Sequence, residues 1–298
     1  MFQFQGNSTL GYARTRSLFV FLYKALTTGG KIMESGEVVG LIIPAVVLVL
    51  FWLNRKELLG IEIKSWWVGL LLVGAGLILH ILGIVVQQPR ISIFALFTGI
   101  YGLMGLAWGP AWLRASFFPF FLFAFCMPLG SFADMLTFPL RLVVTRLVEF
   151  VCHNILMIDV IREGTLLRDP TGRYQYEVAA ACSGIRSLIA TSVFSFILAF
   201  LSFRNWWKRL AIIAAALPLA LFGNLLRMLA IVLAADLFGK EAGDWVHEGG
   251  PGGIVALIWY VPGFAGLLLL EHYLRKVPSG PGVPPKPVTS AVGVSANS

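Results

Sequence analysis

Cys182 is the side chain in this sequence best equipped to act as a nucleophile. It stands in Glu177-Val-Ala-Ala-Ala-Cys-Ser-Gly-Ile-Arg-Ser187, with Arg186 four positions on and so on the same helical face. A nearby guanidinium and a helix N-terminus both favour thiolate over thiol. Ser183, Ser187, Thr191 and Ser195 form an adjoining polar stripe that belongs against protein rather than lipid. The plain alternative is that Cys182 fills space, the commoner fate of a free cysteine. Arg227 lies in Gly-Asn-Leu-Leu-Arg inside a strongly apolar run, where burying a guanidinium is expensive. It is a functional candidate, with snorkelling to a lipid phosphate as the alternative. Asn224, three residues earlier, shares its face and is expected to orient it. His247 stands in Trp-Val-His-Glu-Gly-Gly-Pro-Gly-Gly. Those glycines allow close backbone approach, which suits the rim of an active site and equally an ordinary solvated loop. His153 is the reserve histidine. Cys126 and Cys152 read as packing residues and His80 as a helix–helix partner. No HExxH, paired CxxC, GxSxG or P-loop spacing occurs, so metal, serine-esterase and nucleotide chemistry lack support, and no metal or cofactor is expected.

The elements that must position these residues belong to a membrane protein. Of 298 residues, 58% are hydrophobic and only 13% charged, about half the charged share of roughly 25% in soluble domains. Mean hydropathy is +0.82. The net charge of +8 falls in small groups between apolar runs, a pattern that sets topology rather than one that binds nucleic acid. Three cysteines without regular spacing exclude a disulfide framework. Candidate spans are Val38 to Leu53, Trp66 to Val86, Ile91 to Leu113, a short Phe117 to Leu129, Val178 to Leu201, Leu210 to Leu237, and Ile254 to Tyr273. The fold expected is an all-α bundle of about seven or eight transmembrane helices. Residues 1–37 form an N-terminal segment that is interfacial or crosses once, 38–275 the transmembrane domain, and 276–298 a disordered cytoplasmic tail.

Between the fourth and fifth candidates, Asp134, Thr137, Arg141, Thr145, Glu149 and His153 recur every three or four positions. Such a helix carries too many charges for a cheap span, so it is expected to lie in the interface, with a polar stripe facing a bundle interior as the alternative. After it, Asp159 to Leu167 and Tyr174 to Val178 flank Arg168-Asp-Pro-Thr-Gly172, the composition of a turn between β-prone runs, and predict a small hairpin outside the lipid.

Arg204, Lys208 and Arg209 place the Ser202 to Arg209 loop in the cytoplasm, and Arg275 and Lys276 put the tail there two crossings later. The stretch from Ser131 to Glu177 then falls outside. At 1.5 Å per residue, Cys182 lies about 30 Å along its helix from Ser202, and Arg227 about 27 Å up the next helix from Arg209. Both reach the outer interface, and the loop expected over Lys240 to Gly253 carries His247 to the same face. Topology alone therefore brings the three reactive side chains together.

The Cys-Ser-Gly-Ile motif, then Asn224-Leu-Leu-Arg227, then His247 before a glycine-rich start to the last span, resembles the exosortase/archaeosortase family over roughly residues 120 to 275. A histidine in the third position is similar to the bacterial branch, whereas Ala180 stands where the family often carries an acid. The resemblance implies a membrane-embedded cysteine protease or transpeptidase of the bacterial inner membrane, working on its outer face. Its partners would be exported proteins with a C-terminal sorting signal, namely a short motif (often Pro-Glu-Pro), one transmembrane helix and a basic cluster. It also implies the roles: Cys182 forms a thioester, Arg227 stabilises the oxyanion, and His247 protonates the leaving amine and activates water or an envelope nucleophile. Arg186 would support the thiolate or contact an acidic motif. A transporter or lipid-linked-sugar flippase remains the alternative, since Pro218 and an intramembrane Arg227 are also transporter features. A catalytically silent assembly protein is the third.

Overall fold

The computed structural model describes residues 20, 38–127, 131–178, 185–250 and 254–278. The expectations for the N-terminal segment and for the tail beyond 278 lie outside the described residues.

The chain is helical apart from one small sheet. In order it forms α1 (Val38–Leu53), the short α2 (Arg55–Leu59), α3 (Gly69–Val85), α4 (Pro89–Trp108), and α5 (Pro110–Phe121), which tightens into a 3-10 turn at Leu122–Cys126. Then come α6 (Ser131–Val151), ending in a π-helical turn at Cys152–Leu156, and strands β1 (Ile161–Glu163), β2 (Leu166–Arg168) and β3 (Gln175–Glu177). The C-terminal part is α7 (Ile185–Ser202), α8 (Trp206–Phe238), α9 (Lys240–Glu248), α10 (Ile254–Ile258) and α11 (Val261–Lys276). Among the described residues, three helical stretches are long and apolar enough to cross a bilayer: Pro89–Trp108, Trp206–Phe238 and Val255–Lys276. Four shorter apolar helices, Ile42–Leu53, Gly69–Val85, Pro110–Cys126 and Ser187–Ser202, join them. Every predicted span coincides with one of these, although their ends differ.

The differences have local causes. The span predicted over Ile91 to Leu113 stops at Trp108, because Gly109 takes φ +91 and Pro110 opens the next helix. A side chain at Gly109 would collide with the Lys64 carbonyl. α3 and α4 form a close pair through small residues: a Cβ at Gly76 would lie 2.9 Å from the Ala95 carbonyl oxygen. α8 runs unbroken through Pro218, without the discontinuity on which the transporter alternative draws. Where the sequence predicts a helix from Val178, the Val178 N–H continues the sheet by bonding the Thr165 carbonyl at 2.9 Å, and the described part of the helix is Ile185–Ser202.

The predicted hairpin is a three-stranded antiparallel meander. Besides the expected turn after Arg168, a second turn at Gly164-Thr165 (Gly164 φ +64) folds the run Asp159 to Leu167 onto itself, pairing Ile161 with Arg168 and Glu163 with Leu166. β2 pairs with β3 through Leu167 opposite Tyr176. Leu167, Tyr174, Tyr176 and Val178 form one core with Val144 and Val148 of α6 and with Met228, Ile231, Val232 and Ala235 of α8. The sheet is thus wedged between α6 and the C-terminal half of α8.

α6 turns its polar stripe toward the sheet. Thr137 and Thr145 are buried, the Thr145 hydroxyl donates to the Gly164 carbonyl at 3.1 Å, and Glu149 accepts from the Arg162 Nε at 2.7 Å. Met135, Phe138, Leu147 and Phe150 point outward. Of the two readings of this helix, the stripe facing protein describes its contacts, because the sheet offers polar groups and charges that need partners.

The turn between β2 and β3 is held by Asp169, whose carboxylate accepts from the N–H groups of Thr171 and Arg173, from the Thr171 hydroxyl, and from the Arg173 guanidinium. Arg173 also reaches Asp236 of α8 at 2.9 Å. The Thr171 and Arg173 bonds draw the Asp169 pKa from 3.8 down to about 2. A lowered folded-state value means that the carboxylate's contribution is complete above pH 3.8 and is lost as pH falls toward about 2. Amide exchange at Thr171 and Arg173 should accelerate, beyond the intrinsic trend, across that window. Asp169→Asn should remove the pH dependence. Protection unchanged down to pH 2 would contradict the assignment.

Candidate active site

Arg227 sits on α8 between core residues and half-buried Leu225 and Leu229. Its Nη2 donates to the backbone carbonyl of His247 at 2.9 Å. Two of the three reactive residues named from the sequence are therefore joined directly, although through the histidine's main chain rather than its ring.

The bond is possible because Lys240 to Glu248 is a helix and not the loop expected. Gly239 (φ +88) ends α8 and lets the chain reverse, so α9 packs back along α8. Gly249 (φ +88) and Gly250 (φ +66) then close α9, donating to the carbonyls of Val246 and Trp245. Of the glycines read as allowing close backbone approach, Gly249 and Gly250 are helix terminators that follow His247.

Tyr176 completes this arrangement, and the sequence reading missed it. It is the buried residue of β3, between exposed Gln175 and Glu177. Its ring lies 5.8 Å from the His247 ring, tilted by 32°, and 5.7 Å from the ring of Tyr174. Its hydroxyl donates to the Lys240 carbonyl at 3.3 Å. Burial first, and then the Asp244 carboxylate, push the phenol above its ordinary range, so it stays protonated and a donor. Gly243 is what admits the ring. An added Cβ there would run into the Tyr176 hydroxyl and come within 2.7 Å of the Ala235 side chain. The alternation Gln-Tyr-Glu was the only sequence signal for Tyr176, and it speaks of a strand rather than a site.

Gly243→Ala should push α9 off the sheet and lower the protein's activity by roughly 10-fold to 100-fold, the scale of an ångström-level misplacement. Tyr176→Phe, which removes the nearest clashing atom, should partly restore it. Equal activity of Gly243→Ala and wild type would show that α9 needs no such seat.

The other candidates divide clearly. Asn224, expected to orient Arg227, is 3% exposed, and its Nδ2 makes no hydrogen bond among the described residues. His153 is exposed in the π-helical turn, its Nδ1 3.6 Å from the Asp159 carboxylate. Cys152 is fully buried in the core with Met228 and Ile231, and burial, followed by Asp236, pushes its thiol up to about 11. Cys126 is buried with its thiol toward the Gly40 carbonyl at 3.4 Å. Both therefore pack, as expected. Cys182 and Ser183 lie outside the described residues, and Arg186 is the second residue of α7. No group of three or more metal-ligating side chains occurs among the described residues.

A family model described as transmembrane exosortase matches residues 33–265. No match was found among curated proteins or among solved structures. The matched stretch begins just before α1 and ends within α11, taking in the sheet, Cys182, Arg227, α9 and His247. On a match over most of its length, this multi-pass membrane protein belongs to the transmembrane exosortase family.

Proposed function

We propose that the protein is a cysteine-type protease or transpeptidase of the inner membrane that removes C-terminal sorting signals from exported proteins at the outer face. The observation that carries this reading is the 2.9 Å bond from Arg227 to the His247 carbonyl, which ties a guanidinium on a spanning helix to the histidine-bearing helix. The strand against that helix, β3, ends four to five residues before Cys182. From Val178, the last bonded residue of the sheet, four residues of chain reach at most about 14 Å to Cys182. That chain length is compatible with Cys182 acting beside Tyr176 and His247.

In the proposed reaction the Cys182 proton passes to His247, and the thiolate attacks the scissile carbonyl carbon. The C=O electron pair moves to oxygen, and Arg227 stabilises that charge. When the pair returns, the C–N bond breaks, and the leaving amine takes its proton from the His247 imidazolium. The thioester then yields to water or to an envelope nucleophile. That acceptor gives a proton to His247, and the thiolate departs. Ser183 and Arg186 flank the sulfur, and Arg186 supports its ionised form.

The test is co-expression with a tagged exported protein ending in Pro-Glu-Pro, one apolar helix and a basic cluster, read as a size shift. Processing by wild type, with none by Cys182→Ala, supports the reading. Processing by both, or transport activity that survives Cys182→Ala, refutes it.

A further inference from the structure

One turn of α8 carries hydrogen-bond donors without acceptors. Asn224 is 3% exposed and its Nδ2 is unpartnered among the described residues. Arg227, three positions on and on the same face, commits Nη2 to the His247 carbonyl, while its buried Nε is unpartnered as well. The adjoining Gly223 lies so close to the Trp259 backbone that an added Cβ would come within 2.7 Å of that carbonyl oxygen. Trp259 brings a third buried donor, its indole N–H, also without an acceptor. Buried polar groups are almost always bonded, so two unpartnered donors three positions apart on one face of a helix mark a place where something else supplies the acceptor. All of these orphan groups donate and one is cationic. Their complement is a single oxygen that carries or develops negative charge.

We infer that Asn224 is a catalytic residue whose amide N–H, with the Nε–H of Arg227, binds the scissile carbonyl oxygen and holds it as it becomes an oxyanion. The inference rests on the proposed protease reading and deepens it, replacing a lone guanidinium by a two-donor site. The side chain is not there to orient Arg227, to which it makes no bond among the described residues. It is held unpaired for the substrate, and its cost to folding is recovered only when the oxyanion forms.

The experiment uses the full chain in phospholipid vesicles with the tagged substrate described above, comparing wild type, Asn224→Ala, Asn224→Asp and Cys182→Ala. Asn224→Ala should lower kcat by roughly 10²-fold to 10³-fold, the usual loss for one oxyanion donor, with KM little changed. The near-isosteric Asn224→Asp should fall at least as far, since a carboxylate repels the oxyanion. Because the amide makes no internal bond, the thermal midpoint of Asn224→Ala should stay level or rise. A merely structural asparagine would instead lower that midpoint and tolerate the isosteric change. Wild-type kcat in Asn224→Ala, or activity lost only in step with stability, overturns the inference while leaving the cysteine mechanism standing. Processing by Cys182→Ala would overturn both.

Discussion

Cys182→Ala leaves the substrate at full length and lowers the rate by roughly 10⁴-fold or more, the scale at which losing a covalent nucleophile removes nearly all catalysis beyond binding. The expected phenotype is sharper than inactivity. The variant keeps its helices, the Arg227–His247 tie and the sheet, so it should still bind the substrate and co-purify with it. Cys182→Ser, with a far weaker nucleophile at neutral pH, should behave almost identically. The other thiols cannot substitute, because Cys126 and Cys152 are both buried in apolar cores. A thiol-reactive, membrane-impermeant reagent applied from outside should therefore label wild type and not Cys182→Ala. Labelling that persists in Cys182→Ala, or processing at more than a small fraction of the wild-type rate, would contradict the nucleophile assignment.

Arg227 is expected to be nearly as intolerant, and its substitutions distinguish two tasks. Arg227→Ala removes the donor to the His247 carbonyl together with the positive charge. It should cost about 10³-fold or more in kcat, above the loss of roughly 10²-fold to 10³-fold for one neutral oxyanion donor. Arg227→Lys keeps the charge but replaces a planar fork by a point charge that cannot serve His247 and a substrate oxygen at once. A loss of at least about 10²-fold is therefore expected for lysine as well. His247→Ala leaves the Arg227 bond in place, because that bond is to the main chain, so its effect reports on the imidazole alone. A lysine variant with wild-type kcat would mean that charge suffices and the fork is idle. If His153→Ala stopped processing while His247→Ala did not, the histidine assignment would move to the π-helical turn.

The apolar helices were legible because a bilayer demands long apolar runs and little else, and α1 falls on the predicted Val38 to Leu53 to the residue. Their breaks were less so. Gly109-Pro110 interrupts a run that hydropathy reads as continuous, and the interruption depends on a contact with Lys64 that is remote in sequence. The third strand hid behind Gly164-Thr165, which lacks the Asn-Gly or Asp-Gly pair that marks a two-residue turn. α9 was taken for a loop because it joins two apolar runs, whereas Gly239, Gly249 and Gly250, all at positive φ, bound a helix between them. At the site, the approach of Arg227 to His247 followed from counting turns of helix. Tyr176 and Gly243 were invisible because their importance lies in one tertiary contact, which no local pattern encodes. The polar stripe of α6 was legible, but its contacts with the sheet were not, since spacing states that a face exists but not what it meets.

That reversed helix has a bearing on how a cut is measured. With Met135, Phe138 and Phe150 turned out and threonines turned in, α6 is oily on the side away from the sheet, where a soluble helix would be wet. The sheet is fastened to its other side, and Tyr176 links that sheet to His247. On the proposed protease reading, cleavage at a centre so fixed is expected to depend on its distance from the substrate's membrane anchor. Lengthening the polar spacer between a substrate's motif and its anchor should then spoil the cut, while the letters of that spacer matter little.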